Sequence, residues 1–458
     1  MKNRLFSQAQ KIVQCHSVAQ WLWWLAIGLF IAQASTVAVV TKFGVPPDEE
    51  NHISFIDYYT DHSISPFFDE QAPTLHLGDK TREVDYLYHY SMSLLRRVLP
   101  FSHDTEFYVI RFCSVGLAVL TFIVWRKVFR KIGVPDIVST LLVLLASTMS
   151  MVLLMSSAVN NDVLVWLGVA LGSLLILRLV EKPRLLDLLW LASVVAYAGL
   201  MKRTLLPIAL VFALIGIVVA VKDRRTFLRQ ARRPTAIVLL AAGIALGGVA
   251  LGTERIVGNV VRYGTVTPSC SQVQGEVACQ NFWWNIRERE LAKRTPGPNV
   301  PIVQFVFRWM HENLKNVLDI QTQFWRHERV PAWWVEPVWW VFLVVGLFTG
   351  AFGDLKRFAI DVVARKRLLV LGVTLAFITA LLLVNYSEYQ RLKFFGLALN
   401  GRYMLAGFLP LIGLVLWYWS RLMTQRTLRI GLYAALLLIT AWQSGLWLLL
   451  HNQQLMHG

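Results

Sequence analysis

The sequence predicts an all-α polytopic membrane protein, and three observations predict it. Of 458 residues, 56% are hydrophobic and only 16% are charged, against roughly a quarter charged in soluble domains. Mean hydropathy is +0.51. Apolar runs recur from end to end, each of about twenty residues, the length that crosses a bilayer. A soluble enzyme, a disordered chain and a small disulfide scaffold are thereby excluded. The helices would pack into one bundle, so 1–458 reads as a single integral domain.

In chain order, Lys2, Arg4 and Lys11 precede a first apolar stretch from Trp21 to Val40. Ala32-Gln33-Ala34 mimics a signal-peptidase site, but the apolar run continues past it, so an uncleaved anchor is expected. Its basic flank places the N-terminus in the cytoplasm. Further spans centre near residues 115, 145, 172, 194, 213, 244, 344, 376, 411 and 440, giving about eleven helices in all. The segments that alternation puts inside are basic: 126–131, Lys182 with Arg184, 222–233, 356–367 and 421–429. Two outer segments are too long to be connectors, 43–104 and 254–336, and loops of that length carry function. Asp85 to Leu99 reads as an amphipathic helix with Leu87, Tyr90, Leu94 and Val98 on one face, suited to the headgroup plane or to sealing the bundle.

The net charge is +17. On a soluble protein this would suggest nucleic acid. Here short basic loops that set orientation account for most of it, and no nucleic-acid partner is expected. A basic remainder on the outer side runs against that bias. It comprises Lys202-Arg203, Arg262-Tyr263, Arg391 with Lys393, and Arg402-Tyr403. Arginine forks pair with phosphate oxygens, so these residues are candidate anion ligands; snorkelling to lipid headgroups is the alternative.

Pro46-Pro47-Asp48-Glu49-Glu50-Asn51-His52 follows the first helix at the outer surface. Pro47 suits a first helical position, which puts Asp48 and Glu49 in the first turn. Asp48, His52, Phe55 and Tyr59 then share a face. A carboxylate beside a histidine at the membrane surface is suited to take a proton from a hydroxyl, or to bind a metal. Plain helix capping is the other reading. Asn160-Asn161-Asp162 sits at another outer turn, where a buried Asp162 would need a partner. Cys270 and Cys279 share one outer loop, so they are either a disulfide in an oxidising compartment or two free thiols. No phosphate-cradling Gly-rich loop, dinucleotide fingerprint, zinc-spaced cysteine cluster or Gly-x-Ser-x-Gly elbow is present.

With these motifs in order, the chain resembles the GT-C superfamily of integral membrane glycosyltransferases. The resemblance is to the bacterial branch related to protein O-mannosyltransferases and lipid A aminoarabinose transferases. Pro-Pro-Asp-Glu-x-x-His, Asn160-Asn161-Asp162, Lys202-Arg203-Thr204, Arg262-Tyr263-Gly264 and Gly401-Arg402-Tyr403 carry it. It implies a sugar donor on polyprenyl phosphate, used on the outer face of the cytoplasmic membrane, with transfer to a glycan, lipid or protein hydroxyl and inversion. It implies Asp48 as general base, with Glu49 as rival. Lys202, Arg203, Arg262, Arg402 and Tyr403 would hold the donor phosphate, and His52, Asn161 and Asp162 would support the site. Some relatives use a divalent metal, Mg or Mn; Glu49, His52 and Asp162 would be its ligands here. Relatives often carry a soluble domain after the last helix, whereas here Gly458 follows soon after the last apolar run. The alternatives are an O-antigen-type polymerase or ligase, which also uses arginine-rich outer loops, and a lipid or glycan transporter, which places its polar residues at mid-membrane.

Overall fold

A computed structural model describes residues 2–46, 48–62, 82, 84–99, 103–277, 279–280, 286, 289–290, 293, 297–318, 335–395 and 401–442. These residues are mostly helical, with no β-strand among them. The helices are α1 (Lys2–Val40), α2 (Glu49–His62), α3 (Leu87–Val98), α4 (His103–Lys131), α5 (Asp136–Thr148), α6 (Ser150–Ser157), α7 (Asp162–Glu181), α8 (Leu185–Met201), α9 (Leu206–Lys222), α10 (Arg224–Ala231), α11 (Ala236–Tyr263), α12 (Cys270–Gln274), α13 (Ile302–Leu318), α14 (Val335–Lys356), α15 (Val362–Leu392), α16 (Leu405–Leu422) and α17 (Arg426–Trp442).

Among the described residues, eight helical segments are long and apolar enough to cross a membrane, or nine if the bent α5–α6 pair is one span, so the chain is a polytopic membrane protein. They are Val18–Val40, Thr105–Lys131, Asp162–Glu181, Arg203–Lys222, Ala236–Tyr263, Glu336–Lys356, Val362–Leu392 and Gly401–Leu422. The expected eleven is not reached among the described residues. The centre near 194 falls in α8, a helix of 17 residues, and that near 440 in α17, which is described as far as Trp442. The centre near 145 falls in α5, which meets α6 at a bend of 81°. The bend has a local cause. Ser147 Oγ donates to Leu144 O at 2.7 Å and Thr148 Oγ1 to Leu145 O at 2.8 Å. Hydroxyls that bond back to their own turn compete with helix continuation, and Met149 then adopts an extended backbone.

Helix ends follow from sequence. Asp361 caps α15 by accepting from Val363 N at 2.8 Å. Ser269 and Gln272 form a capping box at the start of α12. Gly264 closes α11 at φ 70°, a left-handed position glycine adopts without steric cost. The core lies between α7 and α16, whose spans are 78% buried, whereas that of α11 is 17% buried and lines the periphery. α4 packs on α7, α1 on α5, and α11 on α8. Close approach uses glycines: a Cβ on Gly172 would lie 2.1 Å from the Phe212 ring of α9.

At one end of the bundle, carboxylates bind the basic helix ends. Asp136 accepts from Arg126 at 2.8 Å and Arg130 at 2.5 Å. Glu181 accepts from Lys366 at 2.6 Å and from Lys131. Asp354, fully buried, accepts two bonds from Arg367 at 2.7 Å and one from Tyr418 at 3.1 Å. The residues singled out as a site gather at the opposite end.

Candidate active site

The chain leaves α1, turns through Thr41–Pro46, and starts α2 at Glu49; Pro47 lies outside the described residues. Glu49 and Glu50 occupy the first turn of α2. Asp48 does not, contrary to expectation. It precedes the helix at φ 62° and its carbonyl accepts from His52 N at 3.0 Å. Left-handed backbone is costly for most side chains, but Asp and Asn adopt it more readily because they are short and polar. The reversal turns consecutive carboxylates in different directions.

Glu49 turns inward and is fully buried. Its Oε1 accepts from Arg111 Nε at 2.8 Å and from Val159 N at 3.1 Å. Its Oε2 accepts from Arg111 Nη2 at 2.6 Å and from Gly44 N at 3.2 Å. A carboxylate offers about four lone-pair sites, so all are taken. Arg111, also fully buried, donates further to Ala38 O at 2.6 Å and Thr41 O at 2.7 Å. Glu49 is thus a clamp joining α1, α2, α4 and the 158–161 turn, with both of its oxygens engaged by protein donors.

Asp48 turns the other way, toward Arg402. Arg402 Nη2 donates to Asp48 Oδ2 in a short bond and to Tyr403 Oη at 3.0 Å. Arg402 Nε lies 3.6 Å from Asp162 Oδ2. Lys202 Nζ donates to Asp162 Oδ1 and, at 3.1 Å, to Asn161 Oδ1. It also sits 4.4 Å from the centroid of the Tyr403 ring, a cation–π distance. Two acids and two bases thus form one charge-balanced cluster. Residues 48, 162, 202 and 402 come from four separate parts of the chain. Burying such charges without partners would be prohibitive. The side chains of Arg402, Asp162 and Lys202 are 5%, 3% and 12% exposed, but that of Asp48 is 41% exposed. Asp48 is therefore the charge of the cluster most open to an incoming molecule.

The 160–162 turn is fixed from below. Asp162 N donates to Asn160 Oδ1 at 2.7 Å, and Asn160 N donates to Tyr88 Oη at 3.2 Å. Tyr88 Oη also bonds Ser114 Oγ at 3.1 Å. Burial pushes the Tyr88 phenol well above its ordinary range, so it serves as a neutral partner. Asp162 opens α7, where the helix N-terminus favours a carboxylate. Lys202 and the short Arg203–Leu205 turn follow α8. Arg402 lies in a one-turn helix, Gly401–Met404, packed against α13.

Other expected site residues sit apart from this cluster. His52 pairs with His89 of α3, Nδ1 to Nε2, at 2.7 Å, with stacked rings. Arg203 is half-exposed and faces Asp85 at 4.0 Å. Arg262 ends α11 on an exposed surface. Glu49, His52 and Asp162 thus belong to three different bonded pairs. Among the described residues, no group of three or more His, Cys, Asp or Glu side chains is placed to share a metal ion. α3 buries Tyr88, His89 and Ser93 while Leu94 and Val98 stay exposed, and Arg96 faces Asp57 and Glu106. Cys270 and Cys279 form a disulfide with Cα atoms 5.8 Å apart. Much of the second long outer segment, including 281–285, 287–288, 294–296 and 319–334, lies outside the described residues.

Sequence reasoning missed Arg111, Tyr88 and the Arg82 latch, in which Arg82 donates to Asn259 at 2.8 Å and to Glu254 at 3.0 Å. Arg111 carried a usable signal, because an arginine inside an apolar helical run implies a specific partner. Arg82 and Tyr88 carried none. Compared with known proteins, the chain matches no family model and no curated protein at a significant level.

Proposed function

We propose that the protein is a membrane glycosyltransferase that moves a sugar from a polyprenyl-phosphate donor to an acceptor hydroxyl, at the membrane surface where Asp48 opens. The observation that carries this reading is the meeting of Asp48 with Arg402, beside Asp162 and Lys202. It sets a partly exposed carboxylate against two buried cations, as a base next to an anionic leaving group requires. The sequence resemblance to the GT-C superfamily supports the same assignment.

In this mechanism the donor phosphate approaches Arg402 and Lys202, and Arg402 exchanges Asp48 for phosphate oxygen. The released carboxylate takes the proton of the acceptor hydroxyl. The hydroxyl oxygen attacks the anomeric carbon as its bond to phosphate oxygen breaks on the opposite face, so configuration inverts. The bond electrons leave with the polyprenyl phosphate. Lys202 and Arg402 stabilise the charge that develops there, and Tyr403 orients both cations through its ring and hydroxyl. Asp162 holds Lys202. No step is routed through a metal, since Glu49, His52 and Asp162 are not gathered.

The test is donor binding and transfer by purified protein in detergent. Asp48→Asn suits the left-handed position and still offers Arg402 an acceptor oxygen, so folding is retained. Transfer is expected to fall by about 10²–10⁴-fold, the size of a general-base contribution, while polyprenyl phosphate still binds. Arg402→Ala and Lys202→Ala are expected to weaken that binding. Retained transfer in Asp48→Asn, or no phosphate binding by folded wild type, overturns the assignment. A second reading, a lipid or glycan transporter, has one observation in its favour. The bent α5–α6 pair leads to the Asn160–Asp162 turn, and transporters build sites on broken helices. A transporter would move cargo in vesicles and tolerate Asp48→Asn unless that residue also binds cargo.

A further inference from the structure

The end of the bundle opposite the site holds a charged surface that the proposed chemistry does not use. Between residues 222 and 233, Lys222, Arg224, Arg225, Arg229, Arg232 and Arg233 are all exposed, and Asp223 is the one acid. Elsewhere at this end, Asp136, Glu181 and Asp354 each bind two or more basic side chains. Among the described residues, none of the six bases of this run pairs with a carboxylate.

The run is also held in place. α10 inserts Phe227, which is buried. Gln230 accepts from Leu185 N at 2.7 Å and donates to Pro183 O at 3.3 Å, which fixes the helix against the α7–α8 turn. Leu228 stands exposed among the arginines. The membrane spans Arg203–Lys222 and Ala236–Tyr263 enter and leave this segment directly, so it stays within a few residues of the bilayer surface. A soluble polyanion would gain nothing from an exposed leucine at that depth. A lipid headgroup region accepts both the leucine and the cations.

We propose that α10 and its flanks form a docking surface for anionic phospholipid headgroups of the leaflet at that end of the bundle. The proposal is independent of the reaction assigned above. Setting membrane orientation requires only basic loops; it does not require six cations on a pinned helix and its flanks without carboxylate partners.

The full-length protein would be equilibrated in mixed micelles of phosphatidylcholine and phosphatidylglycerol. Retained lipid would then be counted by native mass spectrometry. Wild type is expected to retain phosphatidylglycerol preferentially, and less so at high salt. Each base near a charged surface changes binding by about fivefold. With lipids able to shift among the remaining bases, a variant carrying Arg225→Gln, Arg229→Gln, Arg232→Gln and Arg233→Gln is expected to lose at least about tenfold of that preference. The same four positions changed to Lys are expected to keep it, which separates charge from fold damage. Equal phosphatidylglycerol retention by wild type and the Gln variant overturns the proposal. So does full displacement of the lipid by millimolar inorganic phosphate, which would show a site for free phosphate instead.

Discussion

Asp48 and Glu49 are neighbours in sequence with opposite fates. The left-handed backbone at Asp48 sends its carboxylate to Arg402 and sends that of Glu49 to Arg111. One carboxylate keeps an exposed edge; the other has every lone pair filled. In the proposed reaction the difference sorts chemistry from architecture, and it gives the two residues distinguishable phenotypes. Removing one partner of a buried ion pair strands the other charge and costs about 3–5 kcal/mol. Glu49→Ala and Arg111→Ala are therefore expected to lower the melting temperature severely. In a double-mutant cycle, the two losses should be far from additive, because either change alone breaks the same pair. A Glu49→Ala protein with wild-type stability and no transfer activity would instead return Glu49 to the chemistry.

At the scale of elements, the site depends on short breaks rather than on long helices. The 160–162 turn follows the α5–α6 bend, Lys202 follows the end of α8, and Arg402 rides on the one-turn helix of Gly401–Met404. That last helix lies directly against α13. A Cβ at Gly401 would sit 2.8 Å from both Asn313 O and Asn316 Cβ, and a backbone oxygen cannot move aside as a flexible side chain can. Gly401→Ala is expected to push the Arg402 turn off α13. Misplacement of about 1 Å can cost up to about a hundredfold in rate, so transfer should fall far more than thermal stability does. Equal loss of both would indicate general unfolding, and no loss of either would show that the turn tolerates the shift.

The whole molecule is polarised. One end carries the mixed-charge cluster of Asp48, Asp162, Lys202 and Arg402; the other carries the carboxylate clasps and the basic α10 surface. α11 joins the two ends in a single helix of 28 residues, about 42 Å long, against a hydrocarbon core of about 30 Å. Thr235 and Thr267 lie exposed just beyond its two ends. Each would be changed to Cys in a background carrying Cys15→Ser and Cys113→Ser. In sealed vesicles, a membrane-impermeant maleimide is expected to label one from outside only and the other only after permeabilisation. Labelling of both from the same side would mean that α11 does not span.

The membrane class was legible in the sequence because it rests on composition and run length, which need no tertiary information. Charge placement also marked Asp48, Asp162, Lys202 and Arg402 one at a time, since ionisable residues at the ends of apolar runs are costly and require partners. Periodicity could not place Asp48 outside the first helical turn, because a left-handed residue leaves no repeat to read. Nor could it break α5 from α6, where the apolar run is continuous and two hydroxyls decide. Which charges meet was decided by tertiary structure alone. Residues 48 and 402 are 354 positions apart, and only the packing of the Gly401–Met404 turn against α6, α13, α15 and α16 brings their charges within bonding distance, while leaving Arg203 and His52 to other partners.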